Sequence, residues 1–159
     1  MHSEPQKEHE WLRRMEGRWT FNVTCVMGPD QPESSFEGRE VVRSFGGLWI
    51  IGEGEGSMPG GGTSQSVITL GFDPKKGRFV GTFISSMMDH MWHYVGSLDA
   101  DQKTLTLDTE GPSFDQQGMA KYQDIFTMVD DDHRTLHSQV LGADGKWTRF
   151  MSGHYHRQK

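Results

Sequence analysis

From Trp19 to the last residues the chain is cut into about ten short strand-like runs by turn signals of hairpin length. No helical run of crossover length lies between them. That feature restricts the architecture severely, because parallel strands need crossovers and these runs must therefore pair antiparallel with their sequence neighbours. The runs are roughly Trp19–Met27, Phe36–Phe45, Leu48–Ser57, Ser66–Phe72, Arg78–Ser85, Met91–Leu98, Thr104–Thr109, Met119–Val129, Thr135–Leu141 and Lys146–His156. Asp73-Pro74-Lys75-Lys76-Gly77 shows how the punctuation works: proline presets φ and glycine tolerates φ > 0. Gly28-Pro29, Gly46-Gly47 and Asp144-Gly145 also mark turns, and Gly111-Pro112 is read as ending the seventh run. An open row of antiparallel strands exposes two edges, and closing the row removes both. The expected fold is all-β: a single antiparallel up-and-down β-barrel of about ten strands.

Composition supports strands that are wet on one face. Of 159 residues only 33% are hydrophobic, and the mean hydropathy is -0.67, which suits an antiparallel sheet rather than a buried parallel one. The net charge of -6 comes without a basic stripe, so no nucleic-acid partner is expected. No apolar run approaches the roughly 18 residues of a membrane span, and the N-terminus lacks an apolar signal core. No membrane insertion and a cytoplasmic location are the expectations. Cys25 is the sole cysteine and sits at an apolar strand position, where it packs as a small hydrophobe.

Residues 1–17 read as an N-terminal segment and capping helix, with residues 18–159 forming the barrel as one domain. Ser3, Pro5 and Gln6 make a plausible helix start. Trp11, Leu12 and Met15 share one face, and Gly17 can end the helix. Such a short helix does not persist alone, so its apolar face must lie on one end of the barrel. Gly17-Arg18-Trp19 then opens the first strand, with Trp19, Phe21, Val23, Cys25 and Met27 on one face.

Several motifs occur together and in order: Leu12 with Gly17 and Trp19, Gly46-Gly47-Leu48, Leu70-Gly71-Phe72-Asp73-Pro74, Gly96 with Leu98-Asp99, and the closing Tyr155-His156-Arg157. Over most of its length the chain thereby resembles the bacterial family called domain of unknown function 1579, grouped with the calycins: lipocalins, fatty-acid-binding proteins and nitrobindin-like barrels. The resemblance implies a calycin-like barrel around a cavity and carries no catalytic set. It also implies that Arg157, with Arg149 behind it, packs over Trp19, so that Gly17, Trp19 and Arg157 close one end. From nitrobindin-like barrels it implies haem as an alternative, with His154 nearest to the ligating histidine. From fatty-acid-binding barrels it implies a carboxylate grip, for which Arg149 and Tyr155 share strand parity without matching the usual spacing.

Chemistry is sought first in Ile84 to Tyr94, where Met87, Met88 and Met91 surround a strand-to-strand turn. Flexible, polarizable methionines at a cavity mouth suit varied apolar ligands. The candidate ligand-binding residues are Phe83, Met87, Met88, Met91, Trp92, Tyr94, Phe126, Met128, Arg149 and Tyr155. The expected function is binding of a small apolar or amphipathic molecule inside the barrel. The alternative is an enzyme using Glu53, Asp89, His90 or His93 as acid/base groups. Glu53 and Glu55, within Gly52-Glu53-Gly54-Glu55-Gly56, share one strand face opposite the glycines. His154 and His156 also share a face and are candidate metal ligands, but no metal signature accompanies them and no cofactor is expected. His2, His9 and His133 read as solvent-exposed. A homodimer through an outward strand face is compatible with the pattern.

Overall fold

A computed structural model describes residues 3–159. Helix α1 (Lys7–Arg13) precedes β1 (Gly17–Cys25), β2 (Ser34–Phe45), β3 (Trp49–Ser57), β4 (Thr63–Asp73), β5 (Arg78–Ser85), β6 (Trp92–Leu98), β7 (Thr104–Pro112), β8 (Met119–Asp130), β9 (His133–Leu141) and β10 (Trp147–Gln158). Each strand pairs with its sequence neighbours, and β1 pairs antiparallel with β10 to close the barrel. The fold is thus the ten-stranded antiparallel barrel that the hairpin pattern predicts.

Most differences from the expected runs lie at strand ends. β7 continues through Gly111-Pro112 instead of breaking there. The ring of Trp92 lies where a Cβ on Gly111 would be, so this glycine admits an indole rather than a turn. β1 stops at Cys25, leaving Met27 exposed rather than on the buried face. Cys25 itself is buried and free, its thiol pushed up by burial and by the charge of Glu33.

The start of α1 is set by Gln6, not Ser3: the Gln6 backbone N–H donates to His9 Nδ1 at 2.8 Å. His9 is buried rather than exposed. Its Nε2 lies 3.2 Å from the Phe72 carbonyl, so one neutral imidazole can accept from the helix start and donate to β4. His2 lies outside the described residues. Trp11, Leu12 and Met15 are all buried on the barrel end, and the Trp11 indole N–H donates to the Gln102 carbonyl at 2.6 Å.

Beneath the helix Trp19 has no exposed surface, and its indole N–H donates to the Met15 carbonyl at 2.9 Å. The Arg157 guanidinium stands 4.3 Å from its ring centroid. Arg157 also donates to the carbonyls of Arg14 and Glu16, just past the end of α1, and to that of Asp131 in the β8–β9 turn, tying the three together. Gly17 holds φ 126, and a Cβ there would strike the Arg157 guanidinium. Unexpectedly, a second guanidinium covers the indole: Arg134 lies 4.6 Å from the Trp19 ring and 4.1 Å from that of Tyr155. Among the described residues no helix is long and apolar enough to cross a membrane.

Candidate functional site

The two barrel ends differ. Helix α1, the β4–β5 and β6–β7 turns, the start of β1 and the end of β10 gather at one end, where Leu70, Leu105 and Leu107 are fully buried. Toward the other end Phe21, Gly38, Gly54, Ser66, Phe83, Trp92 and Met151 sit at inward strand positions yet are only half-buried. Between the ends lies a layer of polar side chains.

The Tyr94 hydroxyl donates to Asp124 Oδ2, and the Ser138 hydroxyl donates to Asp124 Oδ1 at 2.6 Å. Burial pushes the Asp124 carboxyl up, opposed by these two hydrogen bonds. Burial likewise raises Tyr94, as does the charge of Asp124. Tyr155 is raised by burial and then by the charge of Glu40, with Arg134 acting in the opposite direction. Glu40 and Arg134 form an ion pair whose side chains are 12% and 1% exposed. Among the described residues, Arg134 Nε and the Thr109 hydroxyl have no hydrogen-bond partner and are buried. Buried donors without partners are costly, so this layer has spare capacity to bind a polar group.

Glycines of β2 and β3 make room for this layer and for the Phe21 ring beside it. A Cβ on Gly52 would crowd the Glu40 carboxylate, and one on Gly38 or Gly56 would meet the Phe21 ring. Glu53 and Glu55 point the other way and are exposed on the outer face. They border an external groove of about 380 Å³ with Arg39, Val41 and Gln65. Asp89 and His93 are exposed too, while His90 bonds through Nε2 to the Glu110 carbonyl at 2.9 Å. The four acid/base candidates are therefore not gathered inside the barrel.

Of the ligand-binding candidates, Tyr94, Phe126, Met128 and Tyr155 are buried and inward, and Phe83 and Trp92 are inward and half-buried. Met87, Met88 and Met91 are exposed at the β5–β6 turn, where Met88 Sδ lies 2.9 Å from the Trp92 indole nitrogen. Arg149 is exposed and does not share the inward face of Tyr155. A register shift between Arg149 and Met151 reverses the parity that the sequence spacing suggests. The same bulge brings Phe150 to 5.9 Å from Tyr122, in an aromatic group with Phe114 and Trp92.

The β6–β7 ladder is short: its pairs run only from Val95 with Asp108 to Leu98 with Leu105. Beyond Val95 the two strands are bridged by side chains, with His90 on the Glu110 carbonyl and Trp92 over Gly111. Outside this gap lies a cleft of about 760 Å³, lined by His93, Val95, Glu110, Met119, Tyr122 and Trp147.

His154 and His156 lie exposed on the outer face of β10, so His154 points away from the interior and does not fit as the axial ligand of a haem held inside. Both rings stack with His133, at 5.2 and 4.6 Å, and His133 is half-buried rather than solvent-exposed. The rings lie side by side. Among the described residues no group of three or more such side chains is placed to hold a metal ion. His133 is held below its ordinary value by burial, then by His156 and His154, with Asp130 opposing. His137 is lowered by burial, then by Arg149 and His154.

A histidine with a lowered folded-state pKa is protonated more readily when unfolded. Its contribution is complete above roughly pH 6.5 and is lost as pH falls through the folded value. The urea midpoint should therefore fall on acidification through this window. H133Q with H137Q should fall less, and an equal fall in parent and variant would refute the assignment.

Sequence reasoning missed Glu40, Asp124, Arg134 and Ser138. A signal was present: Glu40 stands between Gly38 and Val42, and Asp124 between Tyr122 and Phe126, each at the parity of apolar strand neighbours. A carboxylate at an inward position is the pattern to look for.

The family model described as "Protein of unknown function (DUF1579)" matches residues 4–157. No curated protein matches the chain. Among solved structures, Rv2717c from M. tuberculosis is similar with TM-score 0.69 at 11% identity, covering 98% of this chain and 100% of that one. The S-type phycobiliprotein lyase CpeS from Guillardia theta has TM-score 0.65 at 13% identity, covering 99% of each chain. The barrel EF1p2_mFAP2b, solved bound to DFHBI, has TM-score 0.51 at 14% identity over 94% of this chain and 98% of that one. These likenesses show the barrel fold.

Proposed function

This chain belongs to the DUF1579 family, and we propose that it binds one small apolar or amphipathic molecule inside its barrel. The observation that carries the reading is the buried polar layer of Tyr94, Asp124, Ser138, Glu40 and Arg134 beneath half-buried inward aromatics. A site of this kind offers an apolar wall and a few convergent polar groups that fix orientation. Phe21, Phe83 and Trp92 would contact the apolar part, and the polar end would reach toward Tyr94 and Tyr155. The methionines of the β5–β6 turn would border the portal, with the short β6–β7 ladder beside them as the place where the wall can part. That a barrel of similar shape was solved with DFHBI is in keeping with this reading.

The test is titration of the purified protein with a neutral fluorescent probe such as N-phenyl-1-naphthylamine. Saturable one-to-one binding is expected, and W92A should weaken it by about tenfold through lost contact area. The absence of saturation with this probe and with a panel of neutral lipids and aromatics would sink the proposal.

A further inference from the structure

The polar layer also bears on the charge of the ligand, an inference that rests on the binding role just proposed. Arg134 and Tyr155 are register partners on β9 and β10 and stack on one another inside the barrel. A guanidinium and a phenol side by side are the donors expected of a grip for a ligand carboxylate. Here that place is taken. The carboxylate of Glu40, reaching across from β2 past the bare Cα of Gly52, is bonded to Arg134 Nη2.

The remaining interior acid makes matters worse for an anion. Asp124 takes up the hydroxyl hydrogens of Tyr94 and Ser138, so these are not free to donate to a ligand carboxylate. An anionic head entering this layer would meet a neutralised guanidinium and two carboxyl groups, and its desolvation would go uncompensated. An uncharged hydroxyl or carbonyl has no such penalty and can use the spare donors, Arg134 Nε and the Thr109 hydroxyl.

We propose that Glu40 acts as a built-in counter-carboxylate that determines specificity, so that the barrel takes ligands with an uncharged polar head and rejects the matching carboxylates. Removing its charge should convert the site into one that accepts anions.

The experiment compares dodecan-1-ol with dodecanoate as competitors of N-phenyl-1-naphthylamine near neutral pH. In the parent protein the alcohol should bind about tenfold or more tightly than the acid. In E40Q, which frees the guanidinium charge but keeps an oxygen acceptor, the acid should gain about tenfold or more. The double variant E40Q with R134Q should not show that gain. An acid that binds the parent as well as the alcohol does would overturn the proposal, and so would E40Q without a gain for the acid. If E40Q does not fold, the parent comparison alone decides. If the reporter itself fails to bind the parent, it is the binding role that falls; if it binds but the acid competes best, only the charge selection falls.

Discussion

Trp19→Ala is expected to be the most damaging single change in the barrel, lowering stability by about 4 kcal/mol or more. The indole is fully buried, so its removal leaves a cavity at the closed end. It also leaves the Met15 carbonyl without its 2.9 Å donor and strips the shared cover from Arg157 and Arg134. Each cation over a ring contributes about 0.5–2 kcal/mol, with the larger value in dry surroundings. Against a total of roughly 5–15 kcal/mol, such a loss takes much of what holds the fold. For a domain of this length the melting midpoint should drop by roughly 8–16 °C. W19F, which keeps a ring but loses the N–H, should fall between parent and alanine. A drop below about 2 kcal/mol for W19A would show that the helix end collapses onto the void and that Trp19 does not organise the closure.

The second large effect concerns Glu40 and Arg134, and its signature is non-additivity. Removing one member of a buried ion pair leaves the other charged and unpaired, which costs about 3–5 kcal/mol. E40A should therefore be strongly destabilised. E40Q should suffer less, because its amide oxygen can still accept from Arg134. Replacing both residues by methionine restores an apolar pair of similar volume, and that double variant should lie within about 2 kcal/mol of the parent. The residual cost is the loss of the Arg134 guanidinium from the Trp19 and Tyr155 rings. Urea denaturation of the parent, E40M, R134M and the double methionine variant yields the coupling directly. Single effects that simply add would mean that the pair is solvated and that the interior is wetter than its 1% and 12% exposures indicate.

These two predictions rest on residues that were unequally visible in the sequence. Trp19 could be picked out because a glycine, a tryptophan and alternating apolar residues follow a short amphipathic helix, all within one local stretch. Arg157 could be paired with it only through resemblance to a family, and Arg134 was not seen at all. The two guanidiniums lie far apart in sequence from the indole they flank, and nothing local to Arg134 marks it as buried. The β10 bulge had a similar effect on Arg149: one extra residue reversed its face, and spacing alone gave the wrong side. His9 shows the same limit, for a histidine on a polar-looking helix turn is buried because the Phe72 carbonyl lies within reach across the barrel end.

By itself the sequence determined the class and topology of this protein. Turn residues act over four or five positions, side-chain alternation has a period of two, and links of hairpin length leave sequential antiparallel pairing as the available solution. Those are local properties, written in consecutive residues. Only the tertiary structure decided what the barrel encloses. The partners of Asp124 come from β6 and β9, and Arg134 on β9 meets Glu40 on β2. Such meetings depend on strand register, bulges and closure, which bring Arg134 and Glu40 together across 94 positions. The chemistry of the interior is therefore a property of the closed cylinder rather than of any one strand.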